Sequence, residues 1–264
     1  MSSSPGRGDL QTLIPSSLAR GAMNVVEVRG LRKVYGSIVA LDGVTFDVQQ
    51  GEVFGLIGPN GSGKTTTLRI LSTLIKPTSG TATVLGHDVV KEAQKVKSLI
   101  SYLPGEAGAY QNLTGNEYLR FMGNLYAANR EELVQMISAA SDISGLGDRL
   151  KDKAKTYSQG MGRRLLIARS LMFKPRLAIM DEPTSGLDVV HATYVRRMIK
   201  DYVRDFGVTV LLSSHNMLEV DYLCDRIALI NTGRLLAVGS PKEVKASTGA
   251  DNLEDAFMKV ISNG

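Results

Sequence analysis

The chain has 264 residues, 43% hydrophobic and 22% charged, with a formal net charge of +5. That length suits one large α/β domain or a core with one inserted subdomain, and no run of about 18 apolar residues exists to span a bilayer. A single cysteine, Cys224, excludes an intrachain disulfide, and the absence of Trp with only 6% aromatic residues leaves no base-stacking platform for nucleic acid.

Met1 to about Met23 is rich in Ser, Gly and Pro and reads as a loose extension without the basic, apolar and small-residue order of a secretory signal. From Asn24 to Val48, β-rich runs alternate with turn residues: Val25–Val28, Ile38–Leu41 and Val44–Val48 predict antiparallel strands. Val53–Ile57 is a short apolar run of the kind that forms a buried parallel strand. It leads into Gly58-Pro59-Asn60-Gly61-Ser62-Gly63-Lys64-Thr65-Thr66, which satisfies G-x-x-x-x-G-K-[ST] from Gly58 to Thr65. Helical apolar spacing follows over Thr67–Leu74.

Strand, glycine loop and helix in that order give the motif a mechanism. Glycines let the backbone curl so that several N–H groups face one anion, and the helix start adds its positive dipole end. Lys64 then reaches the β- and γ-phosphates, and the Thr65 hydroxyl completes the coordination of Mg²⁺. The chain is read as binding a nucleoside triphosphate.

Further strands are predicted at Thr81–Leu85 and Leu99–Leu103, the second ended by Pro104-Gly105. From Thr114 to Leu150 the period changes to a helical one, with Tyr118, Leu119 and Met122, then Leu133, Ile137 and Ala140, at helical spacing. This predicts a mostly helical subdomain. A helix starting near Ser158 continues through Leu165, Ala168 and Met172. Alternation resumes with the apolar run Leu177–Met180, a helix from about Ala192 to Arg204, and strands at Val208–Ser213, Arg226–Ile230 and Arg234–Val238. Asn252–Ile261 reads as a short amphipathic helix. Apolar neighbours predict a buried structural thiol at Cys224, and His87 and His191 read as surface residues.

The run Leu177–Met180 ends in Asp181-Glu182. Strand ends of a parallel sheet converge on the ligand crevice, so both acids are expected beside the phosphate loop. Successive residues point to different sides and take different work: Asp181 holds Mg²⁺, mainly through water, and Glu182 faces the γ-phosphate and polarises the attacking water. His215 follows Val208–Ser214 and is likewise expected at a strand end.

Asp181-Glu182-Pro183-Thr184-Ser185-Gly186-Leu187-Asp188, with Tyr157-Ser158-Gln159-Gly160-Met161 upstream and His215 downstream, resembles the nucleotide-binding subunit of an ATP-binding cassette (ABC) transporter. The likeness runs from about Val25 to Leu236 and is greatest to ABC-2 type two-component exporters, whose ATPase subunit pairs with a separate membrane protein. It implies a P-loop NTPase core of α/β class with an antiparallel β subdomain and a mostly helical insert. The boundaries expected are an extension over 1–23, the ATPase domain over 24–245 with its helical subdomain at about 106–165, and a helical tail over 246–264.

The resemblance also implies roles for single residues. Tyr35 stacks on adenine, for which a flat π-face suffices; its alternative is a turn aromatic packing locally. Ser158 and Gly160, at the start of a helix, are offered to the ATP of the opposite subunit in a head-to-tail dimer, and Asp188 works across the same interface. Ser158 and Asp188 also read as ordinary helix caps. His215 holds the γ-phosphate and the attacking water. The chain departs from the family's usual Leu-Ser-Gly-Gly-Gln, with Gln159 for the first Gly and Met161 for the Gln. It departs again after Leu103-Pro104, where the family's Gln or Glu is Gly105, followed by Glu106. Either Glu106 substitutes after a shift of one residue, or no side chain there reaches the metal. The implied partners are ATP, Mg²⁺, a second ABC subunit and an integral membrane permease that holds the chain at the cytoplasmic face of the membrane. Two rivals are an ABC ATPase serving a soluble macromolecular partner and a non-catalytic nucleotide switch; intact Glu182 and His215 weigh against the second.

Overall fold

The structure, a computed structural model, describes residues 23–262, so the expected N-terminal extension lies outside the described residues but for Met23. Strands β1 (Asn24–Tyr35) and β2 (Ile38–Gln49) pair antiparallel. The two runs expected between Ile38 and Val48 form one strand: the register shifts between Leu31↔Val44 and Lys33↔Leu41, with Gly43 at φ 80°. Asp42-Gly43 thus makes a bulge, which bends a strand without ending it.

β3 (Val53–Ile57) is buried along its whole length and runs through the phosphate loop into α1 (Lys64–Leu71). β4 (Ser79–Val84) and the two-residue β5 (His87–Asp88) return to the first sheet, whose order is β2-β1-β4-β5. α2 (Ala93–Leu99) precedes β6 (Ile100–Leu103), so the expected strand start at Leu99 is the end of a helix.

The helical stretch holds α3 (Gly115–Gly123) and α4 (Arg130–Ser144). The Thr114 hydroxyl accepts from Glu117 N and the Glu117 carboxylate accepts from Thr114 N, a reciprocal cap that starts α3. α5 (Gln159–Leu171) then packs on α4 and leads to β7 (Leu177–Asp181).

α6 (Val189–Phe206) begins three residues ahead of expectation because Asp188 caps it, accepting from His191 N at 2.9 Å. β8 (Thr209–Ser214), α7 (Met217–Leu223), β9 (Arg226–Asn231) and β10 (Arg234–Gly239) follow. α8 (Pro241–Thr248) runs through the boundary expected at 245, and α9 (Leu253–Ser262) closes the described chain.

The second sheet has the order β10-β9-β3-β8-β7-β6, parallel from β9 to β6 with β10 antiparallel at one edge. Its strands are apolar on both sides, and their two-residue period sorts them between two cores. Phe54, Leu56, Ile179 and Leu211 face α1 and the antiparallel sheet. Val53, Ile57, Ala178, Met180, Val210 and Leu212 face the opposite core, shared with α5, α6, α7 and α9. Cys224 is buried in that second core, and burial pushes its thiol well above the usual range, in keeping with a structural role.

Sheet register decides what meets at the carboxyl edge. Ile57 pairs with Ser214 and Ser213 with Asp181. The residues that follow these three neighbouring strands, Gly58, Glu182 and His215, therefore emerge side by side.

Candidate active site

The phosphate loop is shaped by close approaches that only glycine permits. A Cβ on Gly58 would overlap the carbonyl oxygen of Ile230, and Gly63, the residue before α1, stands at φ 110°. Gly63 offers no side-chain cap to α1, so the first N–H groups of the helix are left for an anion. Within the loop the Ser62 hydroxyl is buried without a hydrogen-bond partner among the described residues. An orphaned donor in a concave run of N–H groups fits a phosphate oxygen.

Lys64 is almost fully buried. Its Nζ donates to the carbonyls of Gly58 at 2.8 Å and Pro59 at 3.0 Å and lies 3.7 Å from Glu182 Oε1. Burial pulls the ammonium pKa down, and the carboxylates of Glu182 and Asp181 oppose that shift. Thr65 Oγ1 donates to Asp181 Oδ1 at 3.2 Å, and Ser213 Oγ donates to the same oxygen at 2.5 Å. Thr65 and Asp181 thus present hard oxygen donors to one spot, which suits Mg²⁺.

Glu182 has φ 48°, in the left-handed region, with its N–H donating to Ser213 O at 3.2 Å and Ser213 Oγ at 3.0 Å. Its carboxylate lies 3.1 Å from His215 Nδ1. The loop carrying His215 is braced from behind: Ser214 Oγ donates to the buried Glu219 at 3.1 Å and accepts from Asn216 N at 3.0 Å. Lys64, Thr65, Asp181, Glu182 and His215 therefore form one connected cluster.

The other residues singled out from the sequence stand apart from it. Ser158 caps α5, accepting from Met161 N at 3.2 Å. Asp188 caps α6 and holds His191 Nδ1 at 2.8 Å. A Cβ on Gly160 would overlap the His191 ring, and one on Gly186 would overlap the Gln159 amide. Ser158, Gly160 and Asp188 accordingly belong to a second cluster joined through His191 and Gln159. His191 is half-buried in that packing, and His87 is half-buried with Nδ1 3.0 Å from Glu92, so neither is the plain surface residue expected. Tyr35 is exposed at the end of β1, with the Lys33 ammonium 4.8 Å from its ring centre. Gly105 offers only its backbone, and Glu106 is exposed. Arg163, which the sequence did not single out, is buried and donates to main-chain carbonyls on both sides of Glu182.

Residues 41–185 match the ABC transporter family. Among similar proteins, the daunorubicin/doxorubicin resistance ATP-binding protein DrrA of Streptomyces peucetius is 44% identical over 232 residues, 86% of this chain and 69% of that protein. The linearmycin resistance ATP-binding protein LnrL of Bacillus subtilis is 38% identical over 229 residues, 87% of this chain and 73% of that protein. A solved ATP-binding subunit of an ABC transporter superposes with a TM-score of 0.80 at 26% identity, covering 90% of this chain and 99% of that one.

The chain belongs to the ABC transporter family, of which it is an ATP-binding subunit with ATPase chemistry. The rival readings, a soluble-partner ATPase and a non-catalytic switch, are set aside. Among the described residues no helix is long and apolar enough to cross a membrane, and subunits of this family work with transmembrane partners and dimerise.

Proposed function

We propose that two copies of this chain, or one copy and a similar subunit, close head to tail around two ATP molecules and drive a separate membrane permease in export. The observation that carries the reading is the meeting of Glu182 and His215, at neighbouring strand ends, with Lys64 at the start of α1, linked at 3.7 and 3.1 Å through one carboxylate oxygen. In it Glu182 polarises the attacking water, His215 steadies Glu182 and the γ-phosphate, and Lys64 turns from its carbonyl partners to the phosphates. Thr65 and Asp181 hold Mg²⁺, which when bound neutralises charge on the phosphate oxygens.

Tyr35 serves the adenine face, while Ser158, Gly160 and Asp188 face the opposite subunit. Their gathering into a cluster of their own, away from Lys64, supports that division: a surface built to meet another subunit's nucleotide has no need to touch this one's. The drug resistance for which DrrA and LnrL are named supports an outward direction. The permease then places this chain at the cytoplasmic face of the membrane.

Dimer closure tests the reading. Glu182→Gln is expected to shift from monomer to dimer in sedimentation when Mg-ATP is added. Adding Ser158→Arg to that variant is expected to abolish the shift while nucleotide binding persists. An undiminished dimer in the double variant would remove Ser158 from the interface.

A further inference from the structure

Arg163 sits where five backbone carbonyls converge. On α5 it shares the inner face with Gly160 and Ile167, and it is only 7% exposed. Its Nε donates to Pro183 O at 2.9 Å; Nη1 donates to Pro104 O at 3.3 Å and Gly105 O at 3.1 Å. Nη2 donates to Asp181 O at 2.9 Å and Glu182 O at 2.8 Å. A guanidinium has five N–H donors in a planar fork, and here each has a main-chain acceptor.

A buried charge so arranged costs desolvation, which these carbonyl dipoles offset. Burial lowers the Arg163 pKa, and the charges of Asp181, Glu182 and Glu219 oppose that shift. The carbonyls at 181, 182 and 183 bracket Glu182, whose φ of 48° is strained for a residue with a side chain. Such conformations are costly and persist only where the surroundings over-determine them. Here Ser213 holds the N–H of Glu182 and Arg163 holds the carbonyls on either side of its Cα. The same guanidinium grips the Pro104-Gly105 turn, so a shift of that turn against α5 reaches the main chain of Glu182 through one rigid group.

We propose that Arg163 is a positioning residue for hydrolysis: it locks the strained turn that aims the Glu182 carboxylate and ties that turn to the 104–105 loop and to α5. The proposal rests on the reading of Glu182 as the group that polarises water. A lysine at 163 is a point charge with three donors and no fork, so it keeps the charge and loses the bracket.

The test is a double-variant cycle on the purified full chain, read by single-turnover hydrolysis of radiolabelled Mg-ATP, steady-state kcat and KM, and nucleotide affinity. Arg163→Lys and Arg163→Gln are each measured alone and combined with Glu182→Gln, with thermal unfolding followed by circular dichroism. Misplacing a reacting group by an ångström costs on the order of 10²-fold, so Arg163→Lys is expected to lower kcat by about 10- to 100-fold. KM and ATP affinity are expected to stay within about twofold, the pattern of a lost transition-state interaction. In the Glu182→Gln background the lysine is expected to add no further loss, because the carboxylate it aims is gone. Fold-losses that multiply in the double variant, or a wild-type kcat in Arg163→Lys, would overturn the proposal. Failure of both Arg163 variants to fold would also overturn it, making the residue one of stability alone. Wild-type turnover in Glu182→Gln alone would instead overturn the reading of Glu182, whatever the Arg163 variants do.

Discussion

Glu182 shows how much chemistry one backbone angle can control. Its left-handed φ turns the chain away from the strand line of β7 and brings the carboxylate between Lys64 and His215, while Asp181, one residue earlier, points to Thr65. The two acids were legible as a pair with separate work because strand residues alternate sides. Arg163 was not legible, since an arginine on a helix usually reaches solvent; only its phase, three residues after Gly160 and four before Ile167, marks it as inward-facing. Gly105 raises a question at the same scale. A Cβ there would meet only the Asp181 carbonyl, at an ordinary 3.6 Å, so a side chain fits toward the metal-side strand end. Water readily replaces a protein ligand of Mg²⁺, and on that account Gly105→Gln is expected to sharpen the magnesium dependence of hydrolysis, with Glu106→Ala leaving it unchanged. Magnesium titrations of the two variants check this; a marked weakening in Glu106→Ala would show that the neighbouring glutamate supplies the ligand instead.

Elements differ in how plainly they announce themselves. β3 is a short apolar run closed by Gly58-Pro59, β7 is one closed by Asp181, and β8 carries Val210–Leu212 ahead of Ser213-Ser214, a pattern that suits a fully buried parallel strand when turn or polar residues bound it. α7 and α2 are each seven residues long, too short for a helical period to stand out in the sequence. The split of β2 was an error of a different kind, because Asp42-Gly43 carries turn chemistry that pairing with β1 absorbs as a bulge. The start of α3 joins its local cap to distant chain, with Gly115 N donating to Asp152 O at 3.2 Å and Thr114 bridged to Lys153. Replacing the cap of an exposed helix start costs about 1 kcal/mol, so Thr114→Ala is expected to lower stability by that amount through α3, as measured by urea unfolding. An unchanged midpoint would mean that packing on α4 and α5 holds α3 without its cap.

At the scale of the molecule, the parallel sheet places three strand ends in one row, and the active cluster follows from that register. The Ser158, Gly160 and Asp188 cluster lies on other elements and, among the described residues, those three make no hydrogen bond to the first cluster. On the function proposed above, Glu182 performs the water-activating step at a site that binds ATP without it. The most direct measurement is Mg-ATP binding and Mg-ATP turnover on the same preparation of Glu182→Gln. Binding is expected to match wild type while turnover falls by at least about 10²-fold, the loss expected on removing a general base. Turnover at the wild-type rate would remove Glu182 from the water-activating step.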